Sequence, residues 1–126
     1  MLEDTLYSII EFKTPQNNNL ISLIHLNKEH EIFQGHFPGK PIVPGVCLIN
    51  MITDTISFYK NKKYSLQSAG FIKFINTVDP LLYKYLQLDI QIVNDHENRI
   101  EVEAAILSDQ IVFVKFKGIF VPLSFL

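Results

Sequence analysis

Residues 35–59 read GHFPGKPIVPGVCLINMITDTISFY, and two opposite kinds of backbone meet inside them. The first eleven, GHFPGKPIVPG (35–45), hold three glycines and three prolines. Proline fixes φ and removes a donor, while glycine admits left-handed or closely approached backbone, so no regular element runs through them. From Val46 to about Tyr59 the pattern predicts one helix, apolar almost all round, as a buried helix must be. Pro44 and Gly45 stand at its start, where proline is tolerated. KNKK (60–63) closes it with cations at the negative end of the helix dipole.

Outward from this helix the chain reads as β. YSIIEFK (7–13) and LISLIHL (20–26) suit the arms of a hairpin around PQNNN (15–19). Beyond the helix, LQSAGFIKFIN (66–76), YKYLQLDIQIV (83–93), RIEVEAAIL (99–107) and IVFVKFKGIFV (111–121) read as strands, with NDHEN (94–98) and SDQ (108–110) as hairpin connections. Alternation is clean where Leu86, Leu88, Ile90 and Ile92 share one face and Gln87, Asp89 and Gln91 the other, which predicts a sheet with one wet and one buried face. One long helix and about six strands give an α+β class: an antiparallel sheet wrapped around a central helix.

Bulk properties narrow the function. A chain of 126 residues, 48% of them apolar, is one ordinary domain with ample core, taken as 1–126. A formal net charge of −2 supplies no pull toward phosphate backbones, so nucleic acid is not an expected partner. Cys47 is the single cysteine, which excludes an internal disulfide framework and fits a reducing compartment. The start, MLEDTLYSIIEFK, has no signal-peptide pattern. No apolar run approaches the roughly 20 residues of a membrane span, so the expectation is a soluble, cytoplasmic protein. With one cysteine and no histidine pair at i, i+4, no metal site is expected.

GHFPGKPIVPGV (35–46) resembles the signature of the 3-hydroxyacyl-[acyl-carrier-protein] dehydratases of the FabZ/FabA type. The likeness is continuous from Gln34 to Val46, with the histidine, glycines and prolines in register. FIKFINTVDP (71–80) is similar to a strand and loop that usually read F-x-x-P-V-x-P-G-D, and about two-thirds of the chain can be laid on the family. The resemblance implies the hot-dog fold, a dimer (homodimer or heterodimer, possibly a larger oligomer) and sites shared across the interface. It implies an acyl substrate carried by acyl carrier protein, and no metal or organic cofactor.

By this resemblance His36 is the catalytic histidine. Eliminating water from a 3-hydroxyacyl thioester needs a base for the α-proton, a donor for the developing enolate oxygen and a proton for the leaving hydroxyl. An imidazole with a pKa of about 6.5 suits the first task at neutral pH. Gly45, at the helix start, offers a backbone N–H without an intrahelical partner. In the family that N–H holds the thioester carbonyl, and such a donor can contribute roughly 3 kcal/mol. Phe37 and Val46 join Gly45 as substrate-binding positions. Lys60, Lys62 and Lys63 are candidate contacts for an acidic carrier protein, against the plain alternative of a solvated helix end. His25, His30 and His96 gain nothing from the motif.

The family carries Glu or Asp fourteen positions after its histidine, and Asn50 stands there. An amide cannot hold and release a proton near neutral pH. Three readings follow. Asn50 orients the hydroxyl or a water while His36 shuttles the proton; Asp54, on the same helical face but about 6 Å along the axis, supplies the acid; or the chain is a half-site subunit that binds acyl carrier protein or pairs with a complete dehydratase. Leu81 and Leu82 depart from the related Gly-Asp, and the family's Pro-His-Arg-x-Pro-Phe opening is absent from the first 20 residues. The leading expectation is a (3R)-hydroxyacyl-carrier-protein dehydratase of fatty-acid or related polyene synthesis, with the non-catalytic subunit next and a thioesterase third.

Overall fold

The computed structural model describes residues 6–33 and 41–123. Along the chain come β1 (Tyr7–Gln16), β2 (Asn19–Leu26), a short 3₁₀ turn (Glu31–Phe33), α1 (Gly45–Lys60), β3 (Tyr64–Phe74), β4 (Tyr85–His96), β5 (Arg99–Ser108) and β6 (Ile111–Pro122). The strands form one sheet in the order β1-β2-β4-β5-β6-β3, every neighbouring pair antiparallel. This is the expected hot-dog arrangement, with β1 and β3 as its two edges.

The connections are tighter than the sequence suggested. Each of three hairpins turns on two residues, 17–18, 97–98 and 109–110, so Pro15, Gln16, Asn94, Asp95, His96 and Ser108 belong to strands. Asn18 and Asp109 take φ of 64° and 52°, a region asparagine and aspartate enter at small cost. β4 begins at Tyr85 because the preceding backbone is a turn: the N–H groups of Leu82 and Tyr83 both donate to the Asp79 carbonyl, and Leu81 N–H donates to Asp79 Oδ1 at 2.8 Å. Asp79 thus builds the turn at the position where the related loop has Gly-Asp, leaving Leu81 and Leu82 exposed.

Register aligns the apolar faces. Leu20 and Ile24 face Ile90 and Leu86; Leu88 and Ile90 face Ile106 and Ala104; Ala104 and Ile106 face Phe116 and Val114. A register shift between Ile106 and Leu107 lets Phe113 and Val114, adjacent in sequence, both be buried. Against this concave face α1 lays Cys47, Leu48, Met51, Ile52, Thr55 and Ile56. The two buried polar side chains in the described core, Ser22 and Thr55, hydrogen-bond each other at 3.0 Å, so neither hydroxyl is orphaned. Asn61 ends the helix in the left-handed region, with φ of 55°.

Candidate active site

Backbone constraint fixes where α1 begins. Val43 is 2% exposed and its N–H donates to the Val78 carbonyl at 2.9 Å, tying the approach to the helix onto the segment after β3. That contact brings Gly45 against the end of β3. A Cβ at Gly45 would lie 2.8 Å from Cζ of Phe74, so the position accepts a side chain only if the ring moves. Phe74 closes over the helix start while itself remaining 54% exposed.

The first turn of α1 has no side-chain cap. Pro44 is the cap residue and provides no side-chain acceptor. Cys47 and Leu48 N–H groups donate to the Pro44 carbonyl, whereas those of Gly45 and Val46 have no backbone acceptor among the described residues. Donors so placed, at the positive end of a helix dipole, suit a developing negative charge. Val46 is 67% exposed beside them.

Asn50 follows on the less buried stripe of the helix with Val46, Thr53 and Ser57. Its side chain is half-buried, and no hydrogen bond holds its amide among the described residues. Asp54, one turn on, does not face open solvent. It is half-buried and accepts a hydrogen bond from the phenol of Tyr7, a 2%-exposed residue at the start of β1. Burial pushes the Asp54 carboxyl above its ordinary range, with the Tyr7 hydrogen bond and the Lys63 charge pulling partly back.

The lysines lie elsewhere. Lys60 is ten residues beyond Asn50, hence about 15 Å along the axis. Its ammonium is engaged by Asp95 at 2.7 Å, and Lys62 sits 6.0 Å from the centroid of the Tyr64 ring. Only Lys63 of the three is exposed without such a contact. Gly45, Val46 and Asn50 therefore come together, Asp54 stands one turn away on Tyr7, and the basic cluster is at the other end of the helix. His36 and Phe37 lie outside the described residues.

Sequence reasoning did not place two neighbours of the site. Phe74 sits within FIKFIN, but nothing there says that its ring covers Gly45. Tyr7 pairs with Asp54 through a packing of β1 on α1 that no local pattern encodes. Among the described residues no group of His, Cys, Asp and Glu is placed to hold a metal, and no helix is long and apolar enough to cross a membrane.

The chain is similar to several known proteins. The ApeI-like family model, described as ApeI dehydratase, matches residues 12–115. The chain is 40% identical over 70 residues to the 3-hydroxyacyl-[acyl-carrier-protein] dehydratase FabZ of Clostridium acetobutylicum, covering 50% of this chain and 48% of that protein. It is 31% identical over 87 residues to FabZ of Caulobacter vibrioides, covering 69% of this chain and 50% of that protein. The chain thus spans about half the length of the curated relatives it matches. Among solved structures, the dehydratase heterocomplex ApeI:P from Xenorhabdus doucetiae superposes with a TM-score of 0.69 at 21% identity, covering 90% of this chain and 96% of that one. A putative thioesterase, yhdA of Lactococcus lactis, superposes with a TM-score of 0.68 at 10% identity, covering 98% of each chain. At these identities the structural likenesses speak for the fold alone.

Proposed function

The chain belongs to the ApeI-like dehydratase family, and from that premise we propose that it is a hydro-lyase acting on a 3-hydroxyacyl thioester carried by acyl carrier protein. The observation that carries the reading is the first turn of α1, where two N–H groups have no backbone acceptor among the described residues, at the end of the dehydratase-like motif. The Gly45 N–H polarises the thioester carbonyl. His36 takes the α-proton, the electron pair forms the α,β double bond, and the β-hydroxyl leaves as water with a proton delivered to it. Asn50 holds that hydroxyl by hydrogen bonding, and the imidazolium returns the proton it took. No metal or redox partner enters the balance.

Substrate presentation in this reading requires two chains, each site drawing His36 from one and the helix of the other. The 11-residue edge β3 supports it: one side pairs with β6 and the other is unpaired in the sheet order, while Phe71, Ile72 and Phe74 are exposed. A second reading has a specific observation behind it. Asn50 lacks the acid, and one structural neighbour is a dehydratase in a heterocomplex, so this chain can be the half of a mixed dimer that brings His36 and the binding surface.

Incubating the protein in heavy water with a 3-hydroxyacyl carrier protein, and following the intact acyl species by mass spectrometry, tests both. Loss of water is the expected result, with deuterium appearing at the α-carbon of the 3-hydroxyacyl species as the elimination reverses. Exchange without water loss selects the half-site reading. Binding without either reaction, in a folded protein whose His36→Ala variant behaves identically, overturns the enzyme.

A further inference from the structure

The convex face of the sheet, away from α1, carries charges in a split pattern that the proposed reaction does not use. Paired residues across the strands share a face, so the outward rows can be read from the register. One row runs Asp89 (β4), Ala105 (β5), Lys115 (β6), Lys73 (β3); the next runs Gln91, Glu103, Lys117, Phe71. Carboxylates occupy β4 and β5, and ammoniums occupy β6 and β3. Seven of these residues, from Phe71 and Asp89 to Lys115 and Lys117, line an open groove floored by Ala105.

The pattern is only partly compensated within a single chain. Lys73 and Lys115 are directly opposite each other, a like-charge pair. Glu103 and Lys117 are directly opposite too, yet the described residues hold one salt bridge, between Lys60 and Asp95, and none on this face. Asp89 accepts from Asn19 at 2.9 Å, which leaves its charge uncompensated. Phe71 lies 48% exposed at the lysine side.

We infer that this face associates with the same face of a second copy, about a two-fold axis parallel to the strands and running between β5 and β6. Rotation about that axis carries β4 over β3 and β5 over β6, with each row laid on itself. Asp89 then stands over Lys73, Glu103 over Lys117, and Ala105 over Lys115, whose aliphatic stem needs the space a small residue leaves. No like charges meet. Gln91 covers Phe71. The spacing is compatible with face-to-face sheets, which pack about 10 Å apart with strands nearly aligned. An acidic partner drawn to the lysines alone would also meet Asp89 and Glu103 on the adjoining strands. A second copy brings the matching split by identity. Combined with pairing at the β3 edge, which lies on a different surface, this contact carries the assembly beyond two chains.

Sedimentation velocity and light scattering on the full chain at low ionic strength test it. The wild type should exceed the mass of two chains and fall back to two as salt screens the contacts. Lys117→Glu and Glu103→Lys should each weaken the larger assembly about a hundredfold or more by juxtaposing like charges. The double variant Glu103→Lys/Lys117→Glu in one chain should restore it, because the swap preserves complementarity only when the two faces meet each other. Both positions are on the open face, and circular dichroism checks that each variant is folded. A wild type whose mass does not fall with added salt, or a double variant that stays as small as the singles, overturns the inference.

Discussion

Asn50 concentrates the chemistry of the chain into one atom exchange, an amide nitrogen where the related dehydratases have a carboxylate oxygen. Its half-buried place on the Val46 stripe, with no hydrogen bond among the described residues, leaves the side chain available to a ligand. Asn50→Glu should therefore raise the dehydration rate by about 100-fold or more, the lower range of general acid–base assistance. Stopped-flow absorbance of the enoyl thioester checks this. No gain in a folded variant would mean that the pocket has diverged beyond one residue. Asp54 makes a different prediction. Burial raises its pKa in the folded state, so the folded protein holds that proton more tightly than the unfolded chain does. The associated stability is fully present below the ordinary carboxylate pKa of about 3.9 and is lost as pH rises through the elevated value. Asp54→Asn keeps an acceptor for Tyr7 and removes the ionisation, so its melting temperature should exceed wild type at neutral pH and converge with it in acid. A constant offset across pH would assign Asp54 an unperturbed role. Gly45 was legible as a required glycine from its motif; the reason, a Phe74 ring in the space of a Cβ, was not.

At the scale of elements, local pattern carried most of the fold because burial follows period. The alternation in LQLDIQIV faithfully marks the inner face of β4, where Leu86, Leu88 and Ile90 are 0% exposed. The helix also lies close to where its apolar run put it, from Gly45 to Lys60. What pattern could not give was every contact made between elements. The Ser22–Thr55 bond links β2 to α1 across 33 residues, and neither hydroxyl signals the other. Thr55→Val keeps the shape but strands the Ser22 hydroxyl in the core, at a cost of about 1–3 kcal/mol. Adding Ser22→Ala should return part of that loss, because it removes the orphan. Urea denaturation of the two singles and the double measures the coupling, and strictly additive losses would show that water already serves both hydroxyls. The β4 start was misread for a related reason: Asp79 turns the chain through its own backbone and side chain, a competition with strand that aromatic residues at 83 and 85 conceal.

At the scale of the whole molecule, the sheet order leaves β3 as an edge beside the helix start that it helps to cover through Phe74. An unpaired edge adjoining the candidate site is the geometry in which a second chain completes that site. Sharing makes a quantitative prediction. His36→Ala and Asn50→Ala each disable one contribution, so either homodimer should be inactive. If the two contributions come from different chains, a mixed dimer holds one site with both residues intact and one with both lost. Equal mixing makes half of the dimers mixed, with half of their sites restored, so activity should return to roughly a quarter of wild type. The inactive variants are unfolded together, refolded and assayed for water loss, with separately refolded chains as the control. If both residues act within one chain, every site in the mixture stays broken and no activity returns. That outcome would place the dimer outside the chemistry, and would leave the exposed β3 edge to be explained by association alone.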